Sequence, residues 1–348
     1  MSNRVSPNLD FLRAVAVLLV LVQHLSLRVL HQETASGMPT SYLGLFGVLL
    51  FFVHTSLVLM YSMDRSGLRG GALARDFYIR RAFRIYPLSI VAVAAALVLH
   101  LDSNINGIAG LSYGALPHWK SIVAQFLLVQ NLVQVKSMVN VLWSLPFELQ
   151  MYVFLPLLFG WVRGRRVFWA LMGLWGASVM AAVAQPHVSF LGWASLLRFA
   201  PCFLPGIIAF SLPRTPRMRS SLWPLFILGL IVAFTLKPVL ELGWILCLAL
   251  GIGIPFFQEI QSGWLRVISN RIATYSFGIY ISHQFCIWFA LGVLAGQPSW
   301  VRIGVLISSL VTVPILLYHA IEKPLIRAGI RVAERGREKS VAALPAAA

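Results

Sequence analysis

Two side chains able to do chemistry stand in a stretch that is otherwise almost wholly apolar. The segment LDFLRAVAVLLVLVQHL carries Asp10, Arg13 and His24. Arg13 and His24 are eleven positions apart, close to three helical turns, so on a helix they share one face about 16 Å apart. An ionisable group inside an apolar span is expensive to keep, which makes each of them a candidate for function. Imidazole is also the side chain best suited to removing a proton from a hydroxyl near neutral pH.

A carboxylate comes next, in WSLPFELQMY, where Glu148 follows Trp143 and Ser144 and precedes Tyr152. Glu148 lies roughly 8 Å below one membrane face and His24 roughly 22 Å above the other, in a hydrocarbon core of about 30 Å. The depths coincide, so the expectation is a His24–Glu148 pair in which the carboxylate holds one imidazole tautomer. Its bland counterpart is a structural pair bridging two helices. Trp143, Ser144 and Tyr152 are the candidate donors for a developing oxyanion.

The block FYIRRAFRIYP sets Arg80, Arg81 and Arg84 at one end of a span. Arg80 and Arg84 are expected to share a helix face with Arg81 beside it. Guanidinium forks suit phosphate, whereas Arg65, Arg69 and Arg75 read as ordinary membrane anchors. His54, with Thr55 and Ser56, stands inside FFVHTSLVL, and either lines the same cavity or bonds between helices. His283, in SFGIYISHQF, has the same two readings. His31, His118 and His187 are expected in solvated loops, and His100 and His319 near span ends. No GxSxG, HExxH or Walker motif is present, so a serine hydrolase, a zincin or a P-loop pump has no local support.

Long apolar runs must position these groups. Hydrophobic residues make up 59% of the 348 residues and charged ones 11%, a composition of membrane spans rather than of one soluble core. Runs begin near Leu9, Gly44, Ile85, Trp143, Phe168, Leu196, Leu222, Leu240, Thr274 and Val301. The expected fold class is therefore all-α and polytopic, with about ten transmembrane helices. The first run has no cleavage site behind it and reads as a retained span.

The segment Ile122–Val135, which carries Gln125, Gln130 and Asn131, is ambiguous. If it does not cross, five basic clusters fall on one side: Arg65–Arg84, Arg163–Arg166, Arg214–Arg219, Arg266 with Arg271, and Lys323–Lys339. By the positive-inside rule that side is the cytoplasm, and both termini lie there. The net charge of +17 then reports topology rather than nucleic-acid binding. Cys202, Cys247 and Cys286 lack metal or redox spacing and read as packing residues. The expected organisation is a membrane domain over 1–330 and a cytoplasmic tail over 331–348, without a soluble domain at either end.

In this order and spacing, the motifs resemble those of the acyltransferase-3 family of bacterial membrane proteins, which O-acylate surface glycans and some macrolides. The resemblance runs from LDFLRAVAVLLVLVQH through RRAFRIYP, WSLPFELQMY and SFGIYISHQF to HAIEKPLIR. It implies about ten spans in the inner membrane, acyl-CoA (most commonly acetyl-CoA) as the donor, and a carbohydrate hydroxyl outside the cytoplasm as the acceptor. It further implies His24 as catalytic histidine, Glu148 as its acidic partner, and Arg13, Arg80, Arg81 and Arg84 as donor-binding positions. No metal enters the implied chemistry. Membrane lipids and polysaccharide-assembly proteins are the expected partners. One segment departs from the family pattern: FFVHTSLVL stands where relatives carry FFxxSGFL, which bears on the choice of acyl chain or acceptor.

Two rival readings use the same residues. In a proton-coupled transporter of a sugar or anion, His, Glu and Arg would form a relay. In a non-catalytic subunit of a polysaccharide assembly, His24 and Glu148 would be replaceable. The arginine triplet separates the first rival from the enzyme, because a CoA enzyme needs a phosphate dock and a transporter does not.

Overall fold

The computed structural model describes residues 6–29, 34–35, 38–39, 41–102, 111–164, 166–188 and 194–342. His31 lies outside them, as do Arg165 and the last six residues of the expected tail. The described chain is mainly α-helical, and its extended segments form two minimal antiparallel ladders, Thr34–Ala35 with Met38–Pro39 and Leu101–Asp102 with Ser112–Tyr113, and one isolated parallel bridge, Met218 with Phe257.

The helices in chain order are α1 (Pro7–Val29), α2 (Ser41–Ser66), α3 (Gly70–Val98), α4 (Trp119–Leu127), α5 (Leu145–Val162) and α6 (Phe168–Ala184). They continue with α7 (Ala200–Ser211), α8 (Leu222–Leu236), α9 (Leu240–Gly253), α10 (Gly263–Trp288), α11 (Ser299–Leu317) and α12 (Lys323–Ala342). Among the described residues seven helical segments are long and apolar enough to cross a membrane, and α7, α8 and α9 are shorter apolar helices. Each expected run thus falls on a helix. Outward faces carry large apolar side chains, such as Trp169 at 82% and Leu316 at 65% exposure, as a lipid-facing surface requires.

The ambiguous segment forms only the nine-residue α4, about 14 Å long and too short to span. Its glutamines explain the interruption of hydropathy. Gln125 donates to Lys136 O and accepts from Met138 N, and Gln130 donates to Leu142 O and Ser137. They satisfy backbone and side-chain groups of a chain that folds back on itself.

Helices α1, α2 and α10 form the centre. Gly47 brings α2 against α1 so closely that a Cβ there would stand 2.6 Å from Ala16 O. Gly206 does the same between α7 and α2, with Val53 O at 2.3 Å. Helices α1 and α10 run parallel, since Asp10, Arg13 and His24 meet Asn270, Ser276 and Gln284 in rising order.

The basic clusters gather at the end of the bundle where α1 begins. Asn270, next to Arg271, donates to Asp10, and Arg214 and Ser6 share Glu259. Arg163 reaches Asp64 and Leu68 O between α2 and α3, and Arg75 donates to Gly336 O of α12. Helix α12 runs through position 330 without a break and lies along α3, where Gly329 makes room for Phe83. Cys202, Cys247 and Cys286 are free and buried. His100, His118, His187 and His319 are exposed, as expected of them.

Candidate active site

Two cavities adjoin inside the bundle. The larger when the open space at the mouth is counted, about 760 Å³ on that measure, is lined by Arg13 of α1, Arg81 and Arg84 of α3, Glu148 and Tyr152 of α5, His54 and Thr55 of α2, and Ser276 and Phe277 of α10. The smaller, of about 460 Å³, is lined by Gln23 and His24 of α1, Gly44 and Leu45 of α2, and Asn140, Val141 and Trp143 of the turn before α5. Val48 and Tyr280 line both. Tyr280 is held rigidly in that shared wall, its hydroxyl 2.6 Å from both Ser144 Oγ and Val141 O.

In the larger cavity three of the four charged side chains, Arg13, Arg84 and Glu148, have a built-in partner. Arg13 Nε donates to Ser276 Oγ at 2.7 Å. The Tyr152 hydroxyl donates to Glu148. Arg84 makes an ion pair with Glu322, which is 1% exposed, and lies over the Phe277 ring at 5.5 Å. Glu322 stands in a π-helical turn, Tyr318–Glu322, that joins α11 to α12. Such a turn shifts the register of side chains within a continuous helix, and here it accompanies a carboxylate turned toward α3.

His24, 6% exposed, keeps different company. Its ring lies 5.1 Å from that of His283, and the Gln284 amide stands 3.5 Å from its Nδ1. His283 Nδ1 is 2.9 Å from Ile279 O. A carbonyl only accepts, so Nδ1 of His283 carries the proton and its Nε2 is a bare lone pair. That Nε2, Gln23 Oε1 and Gln284 Oε1 are buried with no hydrogen-bond partner among the described residues.

Three sequence expectations change. The expected His24–Glu148 pair is not built: Glu148 lines the larger cavity with Tyr152, and His24 lines the smaller one beside α10. The expected equal depth is not found: Glu148 shares its cavity with Arg13 and Ser276, whereas His24 stands eleven residues further along α1, beside Gln284. Next, Arg81 and Arg84 rather than Arg80 and Arg84 share the cavity, because Arg80 turns back to Asp76 at 3.0 Å on its own helix and lines a small neighbouring pocket. Finally, Tyr152 is committed to Glu148 in the larger cavity and Ser144 to Tyr280, leaving Trp143 as the one proposed oxyanion donor that lines the His24 cavity.

Other expectations hold as geometry. Arg13 and His24 do share a face, turned to α10. His54 and Thr55 line the larger cavity, while Ser56 donates to Phe52 O and Val53 O in its own helix. Sequence reasoning passed over Tyr280, Gln284, Gln23, Ser276 and Glu322. The signal for two of them was available: Tyr280, His283 and Gln284 fall at i, i+3 and i+4 of one helix, a single face.

With this geometry, the comparisons with known proteins take on meaning. Residues 6–319 match the family model described as an acyltransferase domain, the acyltransferase-3 family. The chain is 25% identical over 366 aligned positions to the peptidoglycan O-acetyltransferase OatA of Listeria monocytogenes, covering 94% of this chain and 57% of that relative's length. No solved structure matches. The chain belongs to the acyltransferase-3 family.

Proposed function

We propose that this family member is a multi-pass O-acyltransferase of the bacterial inner membrane that moves an acyl group, acetyl being the first candidate, from cytoplasmic acyl-CoA to a carbohydrate hydroxyl. The observation that carries the reading is the pair of adjoining cavities, one lined by three arginines and the other by His24 and neutral polar groups. The arginine cavity, lined by Arg13 near the start of α1, lies toward the end where the basic clusters gather, which the positive-inside rule places in the cytoplasm. A phosphorylated donor entering there would meet Arg13, Arg81 and Arg84, and its pantetheine arm would extend toward the wall at Tyr280. The parallel run of α1 and α10 supports ten crossings with both termini cytoplasmic: an even number of reversals separates the two helices only when α4 is left out.

In the chemical step, Nε2 of His24 takes the proton of the acceptor hydroxyl as its oxygen attacks the thioester carbon. The C–S bond then breaks, the acyl ester forms, and the imidazolium returns the proton to the departing CoA thiolate. Trp143, which lines the same cavity, would donate its Nε1–H to the oxyanion. Glu148, paired with Tyr152 among the arginines, balances charge in the donor cavity. The acceptor is a glycan of the cell envelope, a reading supported by the name of the Listeria relative.

The test is CoA release from acetyl-CoA and succinyl-CoA by purified protein in nanodiscs, with cell-envelope glycan and with His24→Ala alongside. Release that depends on His24 supports the enzyme. Absence of both release and CoA-induced thermal stabilisation moves the reading to a transporter.

A further inference from the structure

The polar side chain that faces His24 is Gln284, and we infer that its amide oxygen, not the carboxylate of Glu148, positions the imidazole for proton abstraction. The inference rests on reading His24 as the base. Gln284 is 2% exposed, and its amide nitrogen lies 3.5 Å from His24 Nδ1. The register that brings them together is fixed from below, where Arg13 of α1 donates to Ser276 of α10.

The two ends of a glutamine amide are nearly identical in size, so hydrogen bonding decides which end faces a partner. If nitrogen faced Nδ1, the amide would donate to the ring and the imidazole proton would sit on Nε2. That edge could then accept nothing from a hydroxyl, and Gln284 Oε1 would stay buried without a partner, as it does when drawn that way. Turned about, Oε1 accepts from Nδ1–H, the orphaned oxygen is satisfied, and Nε2 presents its lone pair to the cavity. The same oxygen then faces the imidazolium that forms during transfer, in a place where an amide gives a partial negative charge without the desolvation cost of a carboxylate.

The surroundings of His24 leave this bond as the deciding one. From α10 the titratable neighbours are His283, whose Nδ1–H is committed to Ile279 O, and Tyr280, whose hydroxyl is committed to Ser144 and Val141 O. Helix α2 contributes Gly44, Leu45 and Val48, and the turn before α5 contributes Asn140, Val141 and Trp143. On its own helix Gln23 lies beside it and Arg28 one turn on. Among the described residues lining this cavity there is neither carboxylate nor cation.

The tautomer of His24 can be read directly by nitrogen NMR of the full chain in nanodiscs with 15N-labelled histidine, the His24 signals being identified by their loss in His24→Asn. The expected result is the Nδ1–H tautomer in the wild type, its retention in Gln284→Glu, and a mixture of tautomers in Gln284→Leu. A merely structural role for Gln284 would leave the tautomer unmoved. An Nε2–H tautomer in the wild type overturns the inference whatever the Gln284 variants show. Acetyl-CoA turnover, measured in parallel, separates the two layers. A dead His24→Asn with the Nε2–H tautomer removes Gln284 alone, whereas an active His24→Asn removes the base and the positioning role with it.

Discussion

The two cavities share Val48 and Tyr280 yet treat polarity in opposite ways. Around the arginines, charge is met by charge or by a strong dipole: Arg84 with Glu322, Arg13 with Ser276, Glu148 with Tyr152. Around His24 nothing in the described lining is charged, and buried acceptors at Gln23 and His283 have no hydrogen-bond partner among the described residues. A buried charge that lacked a partner would cost several kcal/mol, so the first cavity must be preassembled to exist at all. An unpaired neutral acceptor costs about 1–3 kcal/mol, a smaller sum that a hydroxyl-rich ligand can return on binding. The first arrangement suits an anion arriving with its own charge, and the second suits a neutral polyol.

The contrast can be broken most severely at His24. His24→Ala is expected to lower turnover about a thousandfold, the scale of general base catalysis, while CoA still raises the melting temperature. Loss of CoA binding in that variant would merge the two cavities into one functional unit.

Next in size is the ion pair between α3 and the π-helical turn. Glu322→Ala leaves Arg84 buried and unpaired, which is expected to cost about 3–5 kcal/mol in stability. The double variant Glu322→Ala with Arg84→Met should recover most of the melting temperature and still bind CoA weakly. If the double variant melts as low as the single one, the pair is not what holds that region together.

Smaller effects should sort cleanly by cavity. Arg81→Ala removes one charge-assisted contact, worth about 1.5–3 kcal/mol, and should raise the KM for acyl-CoA some tenfold or more. It should not change the KM for the glycan. Trp143→Ala should do the reverse, raising the acceptor KM roughly fivefold for an aromatic contact of about 1 kcal/mol. A shift of the donor KM by Trp143→Ala, or of the acceptor KM by Arg81→Ala, would show that the wall at Tyr280 does not divide the ligands.

Much of this molecule is legible without a structure. Hydropathy located every apolar helix, because lipid demands long stretches with few charges and each backbone group bonded within its own helix. The scarcity of ionisable residues in those helices marked Arg13, His24, Arg81, Arg84 and Glu148 as the groups to follow. Periodicity placed Arg13 and His24 on one face, and α10 does meet both.

What the chain alone could not give is which helix each of those faces would meet. Spacing along a helix defines depth and the angle about that helix's own axis, and no more. The angle between neighbours comes from packing: Gly47 against Ala16 O, Gly206 against Val53 O, Gly44 yielding its space to the Gln23 side chain. Those contacts leave His24 beside Gln284 and set Glu148 at the level of Arg13 and Ser276, about three turns away along α1. Asp76, one turn before Arg80, likewise takes that arginine away from its two companions. The sequence by itself determined an α-helical membrane protein and the side chains proposed to carry its chemistry. Tertiary structure alone decided their partners, because partnership depends on how separate helices rotate about, and shift along, separate axes.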